Sequence, residues 1–398
     1  MSNVSSSNGQ GVIAPKLRFC GFSENWDLVC IGDVYAERSE RGAENMDLLS
    51  VTMTEGVKMR SDIEGKDNSS EDKSNYKIVH IGDMVYNSMR MWQGASGISP
   101  YDGIVSPAYT VLKPSIPISN GFFAALFKTE RLINAFRKNS QGMTSDTWNL
   151  KYPQIETIKI HIPSISEQEK ISEFIALIDA KIAKQRILVD SLKKYKRGLV
   201  SSILSEKIKI SDEPWKECTI GDFLASKSIK QLPTTEAPLM AFTATGGVCD
   251  KGERYDRGFL VKDASTKLYK RTDYGDFIYS SNNLDVGSIG LNLYGSAVIS
   301  DVYEIFTING ADPWFISEVI QQKPIMRDIL KYRQGCLYGQ YRIYAEDFLS
   351  VKIRIPSLPI QTKIGSLISQ VESKILAEQG LLDNLEKCKA ALLQMMFI

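Results

Sequence analysis

Two stretches of the chain carry apolar residues at alternating steps of four and three. From Ile171 the series runs through Ile175, Ile178, Ile182, Gln185, Val189, Leu192, Lys196, Leu199 and Ile203. From Ile364 it runs through Ile368, Val371, Ile375, Glu378, Leu382, Leu385, Lys389, Leu392 and Met396. This spacing is a heptad seam, which predicts a long helix burying one stripe against another helix. Both series break at the same two steps, at Gln185 and Lys196 and at Glu378 and Lys389. One such stripe would suit a helix lying on any globular core. Two in a shared register predict a coiled coil between them. The second series begins only after a whole intervening domain, so an antiparallel pairing is expected, giving a rod with one mixed domain at each end. Ser166 with Glu169 fits a capping box at the first helix start, and Ser357 with Pro359 marks the second.

The shared register belongs to a larger internal repeat at an offset of about 190 residues. Trp26 followed by Ile31-Gly32-Asp33 returns as Trp215 followed by Ile220-Gly221-Asp222. Tyr76-Lys77, Gly82-Asp83 and Tyr86 return as Tyr269-Lys270, Gly275-Asp276 and Tyr279. Gln141-Gly142 matches Gln334-Gly335, and Lys159-Ile160-His161-Ile162-Pro163-Ser164 matches Lys352-Ile353-Arg354-Ile355-Pro356-Ser357. Ahead of each seam lies a mixed half in which short apolar runs, such as Lys77 to Ile81 and Asp276 to Tyr279, end at Gly, Asp or Asn as strands bounded by turns do. Gly121 to Lys138 and Trp314 to Tyr332 have helical spacing and lead into the matched Gln-Gly loops. The fold class expected is α+β: a pseudo-two-fold chain of two repeated domains separated by two long helices.

Composition changes this picture little. A chain of 398 residues with 43% hydrophobic and 24% charged positions reads as globular. Its net charge of +1 offers no global attraction to nucleic acid, so any DNA surface must be local. Six scattered cysteines without a CxxC, and a polar leader through residue 14 expected to be a disordered tail, suggest a cytoplasmic protein.

The opening Pro15-Lys16-Leu17-Arg18-Phe19 with Gly21-Phe22 and Trp26, and the junction Ile162-Pro163-Ser164-Ile165-Ser166-Glu167-Gln168-Glu169-Lys170-Ile171, carry a resemblance that covers nearly the whole chain. It is to the specificity subunits of type I restriction-modification systems. A second junction, Ile355 to Ile364, is similar, although Ile360 stands in place of Glu167, which weakens a cap. The resemblance implies recognition domains at 15–163 and 207–356 and helical conserved regions at 164–206 and 357–398. It implies a non-catalytic subunit that reads a bipartite site on double-stranded DNA. Two methyltransferase and two restriction subunits would dock on it and carry S-adenosylmethionine, ATP and Mg²⁺, with no cofactor or metal in this chain and no membrane association. Ile171, Ile178, Leu192, Leu199, Ile364, Val371, Leu385 and Leu392 stand for the docking helices. Since the two mixed halves differ in sequence, the two half-sites should differ, and a helix of ~57 Å at ~1.5 Å per residue could act as a ruler between them.

Base reading needs bidentate polar groups, whereas phosphate contact needs only charge or donors. In the first half the candidates are Arg60, Asn87, Arg90, Trp92 and Gln93, which otherwise form a solvated loop with a half-buried tryptophan. The loops after the matched Gln-Gly add Thr144, Ser145 and Thr147 in one copy and Tyr338, Gln340, Tyr341 and Arg342 in the other. Lys251, Arg254, Arg257, Lys262 and Lys270 form a basic stretch suited to phosphates or to plain solvent exposure.

Catalytic signatures are missing. His80 and His161 lie in strand-like alternation and read as structural, and no phosphate loop or GxSxG is present. Asp62-Ile63-Glu64-Gly65-Lys66 has the residue types of a nuclease element but sits in a polar loop without an upstream carboxylate partner. The competing reading is a coiled-coil interaction scaffold with two protein-binding heads and no DNA role.

Overall fold

The computed structural model describes residues 14–42, 46–65, 67, 69–144, 148–244, 246–250, 267–282, 284, 288–337 and 340–398. The leader through residue 13 lies outside these. The chain divides into two compact units, residues 1–186 with 380–398, and residues 187–379.

The first unit is built on a four-stranded antiparallel sheet in the order Tyr35–Glu37, Tyr109–Pro114, Met84–Asn87, Ser96–Ile98. The second contains the same arrangement as Leu224–Ser226, Tyr303–Ile308, Phe277–Ser280, Ile289–Leu291. In each, the strand after the repeated tryptophan pairs with the strand that leads into the long helix, Asp27–Cys30 with Lys159–Ile162 and Lys216–Thr219 with Lys352–Ile355. The repeat read from the sequence is thus a repeat of topology. The central strands are buried on both faces, Met84, Val85 and Tyr86 in one unit and Phe277, Ile278 and Tyr279 in the other, which explains their continuous apolar runs.

The segments of helical spacing each contain two helices rather than one. Asn120–Leu126 is followed by Glu130–Asn139, and Pro313–Ile320 by Lys323–Leu330. The Thr129 hydroxyl accepts from the Leu132 amide and starts the second helix in the first unit, while Pro324 sits at the equivalent start in the other. His80 is a second correction: the strand ends at Val79, and the exposed imidazole lies 3.0 Å from Asp102. His161 does lie within a strand, half-buried.

The heptad stretches are single helices, Ile165–Leu204 and Leu358–Met396. Every seam position is buried or half-buried. Within the first unit Asp179 meets Lys389 at 2.5 Å and Arg186 meets Glu386 at 2.5 Å. Within the second, Lys193 meets Gln379 at 3.2 Å and Lys196 meets Glu372 at 2.9 Å. In both, residues advancing along one helix meet residues receding along the other, so the helices run antiparallel. Two polar breaks in the seam are matched ion pairs, Lys196 with Glu372 and Lys389 with Asp179.

The helix starts differ from the capping box expected. The first helix begins at Ile165, placing Ser166 inside it, and the amides of Glu167 and Gln168 donate to the Ser164 carbonyl. Glu167 instead forms a two-pronged ion pair with Arg18, both contacts 2.8 Å. Ile360 therefore replaces a buried ion pair by apolar packing and removes no cap. Gln168 is buried, accepting from the Ser119 amide at 3.1 Å and donating to the Pro163 carbonyl at 3.0 Å. Gln361 repeats this with Asp312 and Pro356 at 3.2 and 2.9 Å. One glutamine in each junction thus ties a long helix to the start of the helix pair of its own unit.

The helix ends match as well. The Leu17 amide donates to the Met395 carbonyl at 2.9 Å, and the Ile208 amide donates to the Ser202 carbonyl at 3.0 Å. Both satisfy a carbonyl that a helix terminus leaves open.

Candidate nucleic-acid interface

In the first unit the central strand emerges from the core at Asn87. The Asn87 side chain accepts from the Met89 amide at 3.0 Å, folding a turn that carries Arg90, Trp92 and Gln93. Gly94 ends the turn at φ 84°, in the left-handed region, where a Cβ would also press within 3.1 Å of Ile133. Arg90 is exposed, and its guanidinium donates to Gln93 at 3.4 Å. Trp92 is half-buried: its indole donates to the Met89 carbonyl at 3.1 Å, and its ring meets Trp148 edge-on at 5.2 Å. It therefore shapes the turn rather than standing free.

The Gln-Gly loop closes on itself through two hydrogen bonds between the backbones of Gln141 and Asn149. The Leu150 amide then donates to the Ser88 carbonyl at 2.9 Å, fixing the loop beside the turn. Met143 is fully exposed and Thr144 is exposed; Ser145 and Thr147 lie outside the described residues. Two regions picked out separately in the sequence thus stand side by side. The turn also borders a groove of ≈ 550 Å³ lined by Ser50, Arg60, Tyr76, Asn87, Arg90 and Tyr109. Arg60 builds its wall, donating to the carbonyls of Ile63 at 2.7 Å and Gly65 at 3.1 Å. Ser50, Tyr76 and Tyr109 were not among the candidate contacts: Tyr76 stood out only as a landmark of the repeat, and nothing in the sequence separates Ser50 and Tyr109 from other strand residues.

The second unit repeats this attachment. The Ile343 amide donates to the Ser281 carbonyl at 3.0 Å, and Tyr279 adds a hydrogen bond to the Ile343 carbonyl at 3.1 Å. Gln334 and Arg342 pair across the loop, and the Gln340 backbone pairs with Leu337. Tyr341 is exposed under the Arg333 guanidinium, 5.5 Å from the ring centre. Arg342 is exposed, with its guanidinium over Tyr344 and 3.4 Å from Glu304. Lys270 is corrected: its ammonium donates to the Tyr303 carbonyl at 2.7 Å and to Glu304 at 2.8 Å, so it braces the sheet rather than offering a phosphate contact. Lys251, Arg254, Arg257, Lys262 and Tyr338 lie outside the described residues. Among the described residues no group of three or more His, Cys, Asp or Glu is placed to hold a metal ion.

The family model for the type I restriction modification DNA specificity domain matches the chain twice, at residues 23–189 and 212–387. The chain belongs to this family. It is 23% identical over 330 residues, 77% of its own length and 72% of the relative's, to the type I restriction enzyme MjaIX specificity subunit of Methanocaldococcus jannaschii. In fold it is similar to the type I restriction-modification S subunit of M. genitalium, with TM-score 0.62, 14% identity and coverage of 97% of this chain and 99% of that one. It is also similar to a chain from a structure of type I R-M complex assembly and conformational transition, with TM-score 0.51, 15% identity and coverage of 92% and 96%. The chain is accordingly a non-catalytic specificity subunit, and the scaffold reading without a DNA role is not favoured.

The seam residues named as docking positions, Ile171, Ile178, Leu192, Leu199, Ile364, Val371, Leu385 and Leu392, are buried or half-buried. They pack inside their units and leave little surface for another chain. The two flanks of the seam differ. One carries the polar partners Asp179, Arg186 and Lys193 with Lys389, Glu386 and Gln379. The other exposes apolar side chains, Leu188, Tyr195 and Leu367 in the second unit and Leu381 and Met395 in the first. Among the described residues no helix is long and apolar enough to cross a membrane.

Proposed function

We propose that this subunit reads a split, asymmetric site on double-stranded DNA, each mixed domain reading one half-site through the turn after its central strand and the Gln-Gly loop beside it. The observation that carries this reading is the matched attachment, Leu150 to Ser88 and Ile343 to Ser281. Two domains that keep one backbone frame but present different side chains are suited to reading different sequences from equivalent positions. Arg90 and Gln93 supply groups able to bond two atoms of one base edge, the contact that discriminates sequence. Tyr341 and Arg342 take that role in the second domain, with Asn87, Thr144, Ser145, Thr147, Tyr338 and Gln340 as further contacts. Lys251, Arg254, Arg257 and Lys262 supply phosphate contacts. Recognition domains at 15–163 and 207–356 and helical regions at 164–206 and 357–398 are the functional parts.

The exposed apolar flank of the helices suits two modification subunits, with two restriction subunits added for cleavage. Those partners hold S-adenosylmethionine, ATP and Mg²⁺ in the cytoplasm. For methylation the target adenine leaves the stack and enters the modification subunit's pocket; this chain contributes the grip on the flanking DNA.

The test measures binding of the assembled methyltransferase to DNA variants of its methylation motif. Arg90→Ala and Gln93→Ala should cost about 1–3 kcal/mol at particular positions of one half-site. Uniform losses across all sequences would assign these residues to the backbone, and exchange of residues 15–163 altering both half-sites would refute the division of labour.

A further inference from the structure

Lys128 lies between the two helices of the first domain, outside every group of residues discussed so far. Its half-buried amine donates to two backbone carbonyls, that of Met53 at 2.9 Å and that of Gly94. Met53 is in the turn of the hairpin formed by Leu49–Thr52 and Gly56–Met59, and Leu49 and Ser50 of that hairpin line one side of the groove. Gly94 closes the turn that bears Arg90 and Gln93, and Asn87 and Arg90 line the other side. One amine therefore joins the two elements between which the groove lies.

This arrangement is unfavourable for the charge it holds. Among the described residues no carboxylate forms an ion pair with Lys128, and the charged group facing it is Lys389 of the second long helix, itself paired with Asp179. Burial, with a smaller contribution from Lys389, brings the amine down to about 8. Packing alone does not require a lysine, since a methionine would fill similar volume without the charge. Neither carbonyl would be stranded by that change: Gly94 also accepts from the Ser96 amide at 2.9 Å, and Met53 is exposed to water. The second domain does without the device. Its matched residue, Gln321, turns back to the Ser317 carbonyl and hydroxyl at 3.0 Å each, within its own helix.

We propose that Lys128 is a positioning residue for sequence reading by the first domain, its amine holding the hairpin and the recognition turn at a fixed spacing across the groove. This rests on the groove and turn being the DNA interface.

The experiment uses the full chain assembled with its modification subunits, and compares wild type, Lys128→Met, Arg90→Ala and Gln93→Ala. Binding is measured to the cognate duplex, to duplexes with substitutions in the first half-site, and to duplexes with substitutions in the second. Lys128→Met should lower discrimination at the first half-site about tenfold, leave the second unchanged, and leave the melting temperature equal or higher. A purely structural lysine would instead lower the melting temperature. As a check on the burial of the amine, wild-type stability should rise relative to Lys128→Met as pH increases from about 8 towards the unfolded lysine value of ~10.4, because the unfolded chain then binds the additional proton. Full first-half discrimination by Lys128→Met, or equal loss at both half-sites, overturns the proposal. If Arg90→Ala and Gln93→Ala are also without effect, the interface itself is misplaced; if they lose discrimination while Lys128→Met keeps it, the failure belongs to Lys128 alone.

Discussion

Replacing Gln168 by methionine tests how the long helix is joined to the first domain. Methionine keeps the length and volume of the side chain, so packing is nearly preserved and the polar groups carry the effect. Two hydrogen bonds are lost. The one to the Pro163 carbonyl lies in a buried setting; the one from the half-buried Ser119 amide is partly open to water. A buried acceptor left alone costs about 1–3 kcal/mol, and a partly hydrated donor less. The expected loss is therefore about 2–3 kcal/mol in denaturant unfolding. Gln361→Met should cost a similar amount, since its bonds to Asp312 and Pro356 have the same geometry and Gln361 is 2% exposed against 3% for Gln168. The sites lie in different units, so the double variant should lose the sum. Hydrogen exchange should accelerate at Ser119 in the first variant and at Asp312 in the second. A loss below about 0.5 kcal/mol in either variant, with the exchange rates unchanged, would refute the view that these glutamines tie helix to domain.

Glu167→Ile should cost about 3–5 kcal/mol by stranding Arg18, whose side chain is only 13% exposed, and adding Arg18→Leu should restore most of it, as urea unfolding would show. Hydrogen bonds from Arg271, Lys227 and Ser296, opposed by burial, hold Asp273 well below the usual carboxylate range. Its contribution to stability is therefore present above the unfolded value of ~3.9 and is lost as pH falls below it, so thermal melts of Asp273→Asn should show a shallower acid limb. Joining Ile398 to Pro15 would give a connection the same length as that from Ser202 to Ile208, but there Glu206 has φ 57°, which proline cannot adopt. A joined chain reopened after Ser205 should therefore melt near wild type with glycine at position 15 and lower with proline.

Much of the fold was legible because it rests on periodicity. Burial follows the four-three steps along both helices, and the landmarks fall at matched places along the two units, Ile31-Gly32-Asp33 and Ile220-Gly221-Asp222 on helical turns and Lys77 and Lys270 on strands. What escaped was anything decided by a partner distant in sequence. Glu167 stands in the first turn of its helix, where an acidic residue looks like part of the helix start, yet it turns to Arg18. Lys270 sits in a basic run that looks solvated, yet the packing of its sheet against the neighbouring one brings Glu304 within 2.8 Å of its amine. The break between the paired helices had a local signal in Thr129 and Pro324, outweighed by the apolar spacing that continues across it. The candidate interface was read as two separate segments because the bond from Leu150 to Ser88 spans too much chain for any local pattern to reveal.

The positions that differ between the copies separate two demands on this fold. Joining a long helix to its domain is solved the same way twice, by Gln168 and Gln361, while matched ion pairs of Lys389 and Lys196 hold helix to helix and the amides of Leu17 and Ile208 close the helix ends. These contacts fix backbone and helix, so the same chemistry serves wherever the geometry recurs. Reading DNA carries the opposite requirement, because two domains with identical turns would read one sequence twice. It is at the turns that the copies part: Arg90 and Gln93 in the first have no like residue at the matched positions of the second, and Lys128 gives way to Gln321. On the proposed reading, the residues that differ around the turns carry sequence preference, and either domain can change it without altering the glutamine contact by which it holds its long helix.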